Sequence, residues 1–121
     1  MKQTQLLKGV LEGCVLAIIK EKPIYGYELV QSLRLSGFQD IVGGTVYPLL
    51  QKLEKQGAIL GVEKPSPDGP NRKYYTLTNL GEDNLIAFKK QWKSLTINVE
   101  TILNNEKDVL NDWIRKINWI K

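Results

Sequence analysis

Two stretches decide the fold that we predict for this chain: Gly43-Gly-Thr-Val-Tyr-Pro-Leu-Leu-Gln-Lys-Leu-Glu-Lys-Gln-Gly57 and Gly69-Pro-Asn-Arg-Lys-Tyr-Tyr-Thr-Leu-Thr78. The apolar residues of the first stretch fall within about 100° of arc on a helical wheel, which predicts an amphipathic helix with one face on the core. These residues are Val46, Leu49, Leu50 and Leu53. Gly57 is expected to close the helix as its C-cap.

The start of this helix has two alternatives. Pro48 lacks an N–H group and fits best within a first helical turn, which makes Thr45 the N-cap. In the other alternative the helix begins at Gly43 and the proline bends it.

The outer face of the same helix is polar and basic. It presents hydroxyls, an amide and two cations, and Glu54 is its negative charge. Its residues are Thr45, Tyr47, Gln51, Lys52 and Lys55. Such a face is typical of an ordinary surface helix and also of a helix that enters the major groove of DNA. The helix alone does not separate these two interpretations.

The second stretch predicts the later half of a β-hairpin. Residues 58–64 resemble a short strand, residues 65–71 form a turn-rich tip, and residues 72–77 are strand-forming. Arg72 and Lys73 would then lie at the base of an exposed hairpin, where flexible cations reach phosphates. Directly after a basic helix, this hairpin favours nucleic-acid binding over a merely solvated turn.

Two helices are predicted before this region. The first runs from about Thr4 to Lys20 and ends because a residue that precedes proline, here Lys22, is pushed out of the helical region. Its apolar stripe comprises Leu7, Val10, Leu11, Cys14, Ala17 and Ile18. The second begins near Tyr25-Gly26-Tyr27 and ends at Ser36-Gly37. Helices followed by a basic hairpin are the order of parts in a winged helix-turn-helix, which we assign to residues 1–80.

A long helix, capped by Thr78 or Asn79, is predicted to follow. Its apolar residues are spaced 3-4-3-4-3, which is a heptad seam and indicates coiled-coil dimerisation. They are Leu85, Phe88, Trp92, Leu95, Val99 and Ile102. The alternative is packing on the helix's own domain. A two-fold dimer suits a palindromic operator. Residues 81–121 are therefore assigned as a dimerisation helix with an amphipathic tail.

The tail, residues 105–121, keeps the heptad phase at Val109, Trp113 and Ile120. We interpret it as an extension that packs on the dimer. A membrane-surface helix is the alternative, since tryptophan, isoleucine and cations suit an interface. Asp108 and Asp112 argue against that alternative.

The amino-acid composition argues against catalytic, zinc-binding and nucleotide-binding functions. With 42% hydrophobic and 25% charged residues, the chain is globular, and its net charge of +4 is compatible with a polyanionic partner. There is no histidine and one cysteine, so the commonest general base and a structural zinc site are both absent. Phosphate-binding and dinucleotide-binding glycine motifs are also absent. We expect no enzyme, no cofactor, no membrane span and a cytoplasmic location.

Three motifs resemble those of the PadR family of bacterial transcriptional regulators, over about residues 5–104. They are Tyr25–Leu29, the segment Gly44–Leu50 with Leu53-Glu54 and Gly57, and the wing motif Gly69-Pro70, Arg72–Tyr75, Leu77-Thr78 and Gly81. The short C-terminal part resembles the small subfamily that includes the lactococcal multidrug-binding repressor. That resemblance implies a dimer joined through the first and last helices, and a central pore in which a tryptophan pair stacks planar aromatic drugs. Trp92 is the matching position, and ordinary interface packing is its alternative.

These observations predict a homodimeric repressor of mainly α fold with a small β-hairpin. Thr45, Tyr47, Gln51 and Lys52 are expected to contact the major groove of double-stranded DNA, while Lys55, Arg72 and Lys73 neutralise phosphates. Two rivals stay open, a winged-helix module for protein contacts and a drug- or metabolite-binding protein whose pore is the main site. The first would suit an acidic or apolar outer face on the third helix, and here that face is polar and basic.

Overall fold

The computed structural model describes Leu7, residues 9–104 and residues 113–117. Its elements are α1 (Leu11–Glu21), β1 (Ile24–Tyr25), α2 (Gly26–Leu35), α3 (Gly43–Lys55), β2 (Ile59–Ser66), β3 (Gly69–Leu77) and α4 (Asn79–Leu103). Residues 113–117 are also helical, and the rest of the predicted tail lies outside the described residues. The strands form one antiparallel sheet in the order β1-β3-β2. This mainly helical architecture with a small sheet confirms the predicted winged helix-turn-helix.

The chain divides into two compact units, Met1–Ala87 (unit 1) and Phe88–Lys121 (unit 2). The division falls after the boundary expected between residues 80 and 81. The reason is that the first part of α4 contributes Gly81 and Leu85 to the buried part of unit 1. Within the described residues, no helix combines the length and the apolar character that a membrane crossing requires.

The core of unit 1 forms between the three helices, the sheet and the start of α4. The predicted stripe of α3 is confirmed, since Val46, Leu50 and Leu53 are at most 1% exposed and Leu49 packs half-buried beside them. The stripe predicted for α1 is wrong in part. Its fully buried side chains include Val15, Leu16 and Ile19, whereas three members of the predicted stripe are half-buried, namely Cys14, Ala17 and Ile18. Helix α1 is thus apolar on two faces, and periodicity alone could not choose between them.

Helix α3 begins at Gly43, which agrees with the second of the two alternatives for its start and excludes Thr45 as the N-cap. The carbonyl of Val42 already accepts the N–H groups of Thr45 (3.0 Å) and Val46 (3.3 Å), which closes the first turn earlier. At the other end Gly57 has φ +82°, and its N–H donates to the carbonyl of Glu54 at 3.0 Å. The helix thus ends at a glycine with positive φ, but the C-cap is Gln56 and Gly57 is the residue after it, one position later than predicted.

The hairpin is longer and tighter than expected. Strand pairing continues to Ser66 opposite Gly69, with an irregularity between Lys64 and Ser66, so much of the predicted tip belongs to the strands. Pro65 lies at that irregularity, where a missing N–H is tolerated. Strand β1 is absent from the sequence-based prediction, because two residues offer no alternation to recognise.

Helix α4 is capped by Thr78. The Thr78 hydroxyl oxygen accepts the N–H of Gly81 at 3.1 Å and donates to the Gly57 carbonyl at 2.6 Å. The Thr78 N–H donates to the carbonyl of Ala58 at 3.1 Å. One residue therefore joins the end of the hairpin, the end of α3 and the start of α4.

Candidate nucleic-acid interface

The outer face of α3 lies in solvent, opposite the buried stripe. Thr45, Tyr47, Gln51, Lys52 and Lys55 are all exposed. Lys55 forms no hydrogen bond or ion pair within the part of the chain that the structure describes. The structure therefore brings the five predicted residues of this helix to the surface, but it gives them different surroundings.

Tyr47 is both exposed and structural. A Cβ atom at Gly26 would lie 2.5 Å from its Cε1 atom, and one at Gly43 would lie 2.6 Å from its Cε2 atom. Its ring therefore occupies the space between the first residues of α2 and α3, while the residue stays 45% exposed. This contact sets the approach of the two helices. Gly43 is the (i, i+4) neighbour of Tyr47 on the same helix, but no local spacing connects Gly26 to Tyr47.

Thr45 and Lys52 lie on the side of α3 that faces α1. Together with Leu49 they line a groove of about 480 Å³ whose other wall includes Leu11 and Glu12. The Lys52 Nζ atom is 3.6 Å from Glu12 Oε2, and both side chains are substantially exposed. Such a pair is weak and can exchange for another anion.

Arg72 and Lys73, which the sequence pattern places together, project from opposite faces of the sheet because side chains alternate along a strand. Lys73 Nζ donates to Glu54 Oε1 at 2.7 Å and so links the wing to α3. That hydrogen bond raises the pKa of Lys73 above its ordinary value. Gly61 leaves room for this hydrogen bond, since a Cβ atom at Gly61 would lie 2.8 Å from Glu54 Oε2 and closer still to Lys73 Cε.

Arg72 lies on the other face, with its guanidinium carbon 4.6 Å from the centre of the Tyr25 ring. The Tyr25 ring is 5.4 Å from the Tyr74 ring and 6.3 Å from the Tyr27 ring. Lys64 Nζ lies 5.3 Å from the centre of the Tyr74 ring. The sequence pattern did not assign Lys64 or these tyrosines to a site. Strand alternation between Arg72 and Tyr74 was the available signal, but the unrecognised strand β1 hid the rest.

The residues predicted to form the dimer seam lie in two different units of the chain. Leu85 is 2% exposed and belongs to the core of unit 1, so its assignment to a dimer seam is corrected. In unit 2, the Phe88 and Trp92 rings stack at 6.3 Å with 12° between their planes. The remaining seam side chains are 43–58% exposed in the isolated chain, namely Trp92, Leu95, Val99 and Ile102.

Cys14 on α1 is the one cysteine of the chain, and burial raises the pKa of its thiol. Among the described residues, no group of three or more histidine, cysteine, aspartate or glutamate side chains is arranged to hold a metal ion.

Comparison with known proteins gives consistent matches. A profile of the transcriptional regulator PadR-like family matches residues 15–87. A solved Streptococcus transcriptional regulator is 60% identical, with a TM-score of 0.76 over 84% of this chain and 100% of its own. A PadR-like transcriptional regulator from Bacillus cereus is 44% identical, with a TM-score of 0.76 over 84% and 98%. An uncharacterized protein of Lysinibacillus sphaericus is 35% identical over 94 residues, which are 76% of this chain and 86% of its own.

Proposed function

This chain belongs to the PadR-like family of transcriptional regulators, and we propose that it is a repressor that binds a palindromic operator as a homodimer. The observation that carries the proposal is the polar, basic and exposed outer face of α3, on a helix whose opposite face is buried. Gln51 and Lys55 point away from the core, and an amide and a cation are groups that read base edges and neutralise phosphates.

The different surroundings of the site residues suggest different roles. Gln51 can form the bidentate amide contact that distinguishes adenine, so it is the residue we assign to sequence preference. Thr45, Tyr47 and Lys52 would contact the major groove of DNA from the sides of α3. Lys52 would exchange its ion pair with Glu12 for one with a DNA phosphate. Lys55 and Arg72 would contact the backbone.

Dimerisation is supported by apolar surface that the single chain leaves uncovered. In unit 2, Trp92, Leu95, Val99 and Ile102 keep heptad spacing and are largely exposed. In unit 1, the second apolar face of α1 is only half-buried. Exposed apolar surface of this kind marks a protein interface. Two-fold pairing would present two copies of α3 to two half-sites.

The test is fluorescence anisotropy with a labelled duplex from the region upstream of the chain's own gene. We expect tight binding at 50 mM salt and a dimer by analytical ultracentrifugation. Gln51→Ala should change the ranking among operator variants, whereas Gln56→Ala, which removes an exposed amide from the end of the same helix, should leave the ranking unchanged. Absence of binding by the wild type at low salt would refute the proposal that the chain is a repressor.

A second role, release by a planar aromatic ligand, is supported by one observation. Phe88 and Trp92 stack nearly parallel, and Trp92 is 44% exposed, so a flat aromatic molecule could extend the stack. In a dimer, two copies of Trp92 could enclose such a ligand. Plain packing of Trp92 at the dimer interface is the competing explanation.

A further inference from the structure

The outer sheet face carries two like charges directly opposite each other. We define this face by the alternating residues Leu60, Val62, Lys64, Arg72, Tyr74 and Thr76, joined by Tyr25 of β1. Lys64 is the cross-strand partner of Arg72. Like charges at directly opposed positions destabilise a sheet. None of the residues that define this face is acidic, so none of them offsets the two cations.

The opposite face of the same hairpin handles its cation differently. Lys73 is the cross-strand partner of Glu63, and it also donates a hydrogen bond to Glu54. Lys73 Nζ also lies 5.8 Å from the centre of the Tyr75 ring, so the difference from the outer sheet face is that its charge is matched by carboxylates. The chain therefore pairs one cation with acids and leaves two others without an ion pair in the described part of the molecule.

Aromatic rings, not carboxylates, support the two unmatched cations. The Arg72 guanidinium lies over Tyr25 and the Lys64 ammonium lies over Tyr74, and these two rings contact each other. A ring face attracts a cation without cancelling its charge. It also restricts the side chain, so less conformational freedom is lost when an anion binds.

We propose that Lys64 and Arg72, held on the Tyr25–Tyr74 platform, form a phosphate clamp that binds the DNA backbone beside the groove occupied by α3. This inference rests on the proposed function and adds a contact to it. Arg72 offers a planar fork of donors that matches a phosphate, and Lys64 adds a second charge to the same site. Lys73, by contrast, is a positioning residue that holds the wing against α3.

The test is the salt dependence of operator binding by the full-length protein, measured by anisotropy between 50 and 200 mM salt. The slope of log K against log salt is negative, and removing one phosphate contact reduces its magnitude by about 0.9. For Lys64→Gln, the ratio of wild-type to variant affinity should therefore shrink by about 3.5-fold across that range for each phosphate that the variant no longer binds. Lys90→Gln, an equal charge change on α4, is the matched control and should leave the slope unchanged.

Two further variants separate binding from structure. Tyr25→Leu should weaken binding to all sequences alike, and Tyr25→Phe, which keeps the ring, should restore it. Because Lys64→Gln also removes the like-charge repulsion, its Tm should not fall below that of the wild type.

Different experimental results would contradict the phosphate-clamp proposal and the repressor proposal. If the wild type binds the operator but Lys64→Gln has the same slope as Lys90→Gln, the clamp is overturned and the repressor stands. A lower Tm for Lys64→Gln with an unchanged slope also overturns the clamp, because it assigns Lys64 a structural role. If the wild type binds no duplex at low salt, both proposals are overturned.

Discussion

Replacing Gly81 with alanine should destabilise unit 1, although alanine is the better helix former. Gly81 lies in the first turn of α4, where it is buried against Ala58 and Leu77. A Cβ atom there would lie 2.7 Å from Leu77 Cδ1 and closer still to the carbonyl oxygen of Ala58. The leucine could rotate, but the carbonyl is backbone and cannot. It also accepts the N–H of Thr78, so a displacement would strain that hydrogen bond as well.

The opposing contributions can be compared. Helix propensity favours alanine over glycine by about 1 kcal/mol. Overpacking of a buried site costs roughly 1–3 kcal/mol, and weakening the Thr78–Ala58 hydrogen bond costs about 1 kcal/mol more. The net loss in the free energy of unfolding is therefore about 1–3 kcal/mol. At roughly 4–8 °C per kcal/mol, the Tm should fall by roughly 4–24 °C.

Gly44→Ala is the matched control for this prediction. Gly44 also lies near the start of a helix, but a Cβ atom there would meet no heavy atom of the described residues within 4 Å. Alanine should then stabilise by up to about 1 kcal/mol. The assay is thermal unfolding followed by circular dichroism, with all samples at one protein concentration because dimerisation would make the Tm concentration-dependent. A Gly81→Ala variant that melts at or above the wild type would refute the conclusion that the Ala58 carbonyl leaves no room for a Cβ atom at position 81.

Three further predictions concern charge, ligand and pH. The sequence pattern predicts a phosphate contact for Lys73, but we now expect Lys73 to keep its hydrogen bond to Glu54 when DNA binds. Lys73→Gln should then weaken operator binding without changing its salt slope, measured by anisotropy. A planar aromatic dye should quench tryptophan fluorescence, and Trp92→Phe should abolish the quenching measured by titration. Burial raises the pKa values of the Cys14 thiol and the Tyr75 phenol, so the folded state holds these protons more tightly than the unfolded state. The stability they contribute is complete below the ordinary pKa of a thiol, about 8.5, and is lost as pH rises above it, so Tm should fall with alkaline pH.

Each of these has a distinct contrary result. A slope lowered by about 0.9 for Lys73→Gln would make Lys73 a phosphate contact after all. Quenching that survives in Trp92→Phe would place the dye elsewhere, on one of the other tryptophans. Cys14→Ala should reduce the alkaline fall in Tm, and an unchanged pH profile in that variant would show that the thiol does not contribute to it.

The helices and the hairpin were predictable because their signals are local. The stripe of α3 follows from a period of 3.6 residues, and the end at Gly57 follows from a glycine that tolerates positive φ. The exposed positions of Gln51 and Lys55 follow from the same wheel. The start of α3 was ambiguous, because it depends on the backbone of Val42, and no side-chain cap marks it.

The site was less predictable than the helix that carries it. Lys73 and Glu54 are 19 residues apart, and no spacing rule connects them. The platform under Arg72 depends on β1, which becomes a strand only because β3 offers it an edge. Leu85 fits the heptad as well as its neighbours do, yet it is in the core of unit 1 because α4 begins against that core.

The amino-acid sequence was therefore enough to establish a winged helix-turn-helix, the buried and outer faces of α3, and the absence of histidine chemistry. The period of the α3 stripe and the glycine at its end are properties of neighbouring residues, so both could be recognised without the tertiary structure. The different surroundings of Arg72 and Lys73 on the hairpin were decided by the tertiary structure. Adjacent residues of a strand face opposite ways, so Arg72 and Lys73 carry the same charge into different surroundings. The contacts that separate them, Tyr25 under Arg72 and Glu54 beside Lys73, depend on chain segments that only the folded structure brings together.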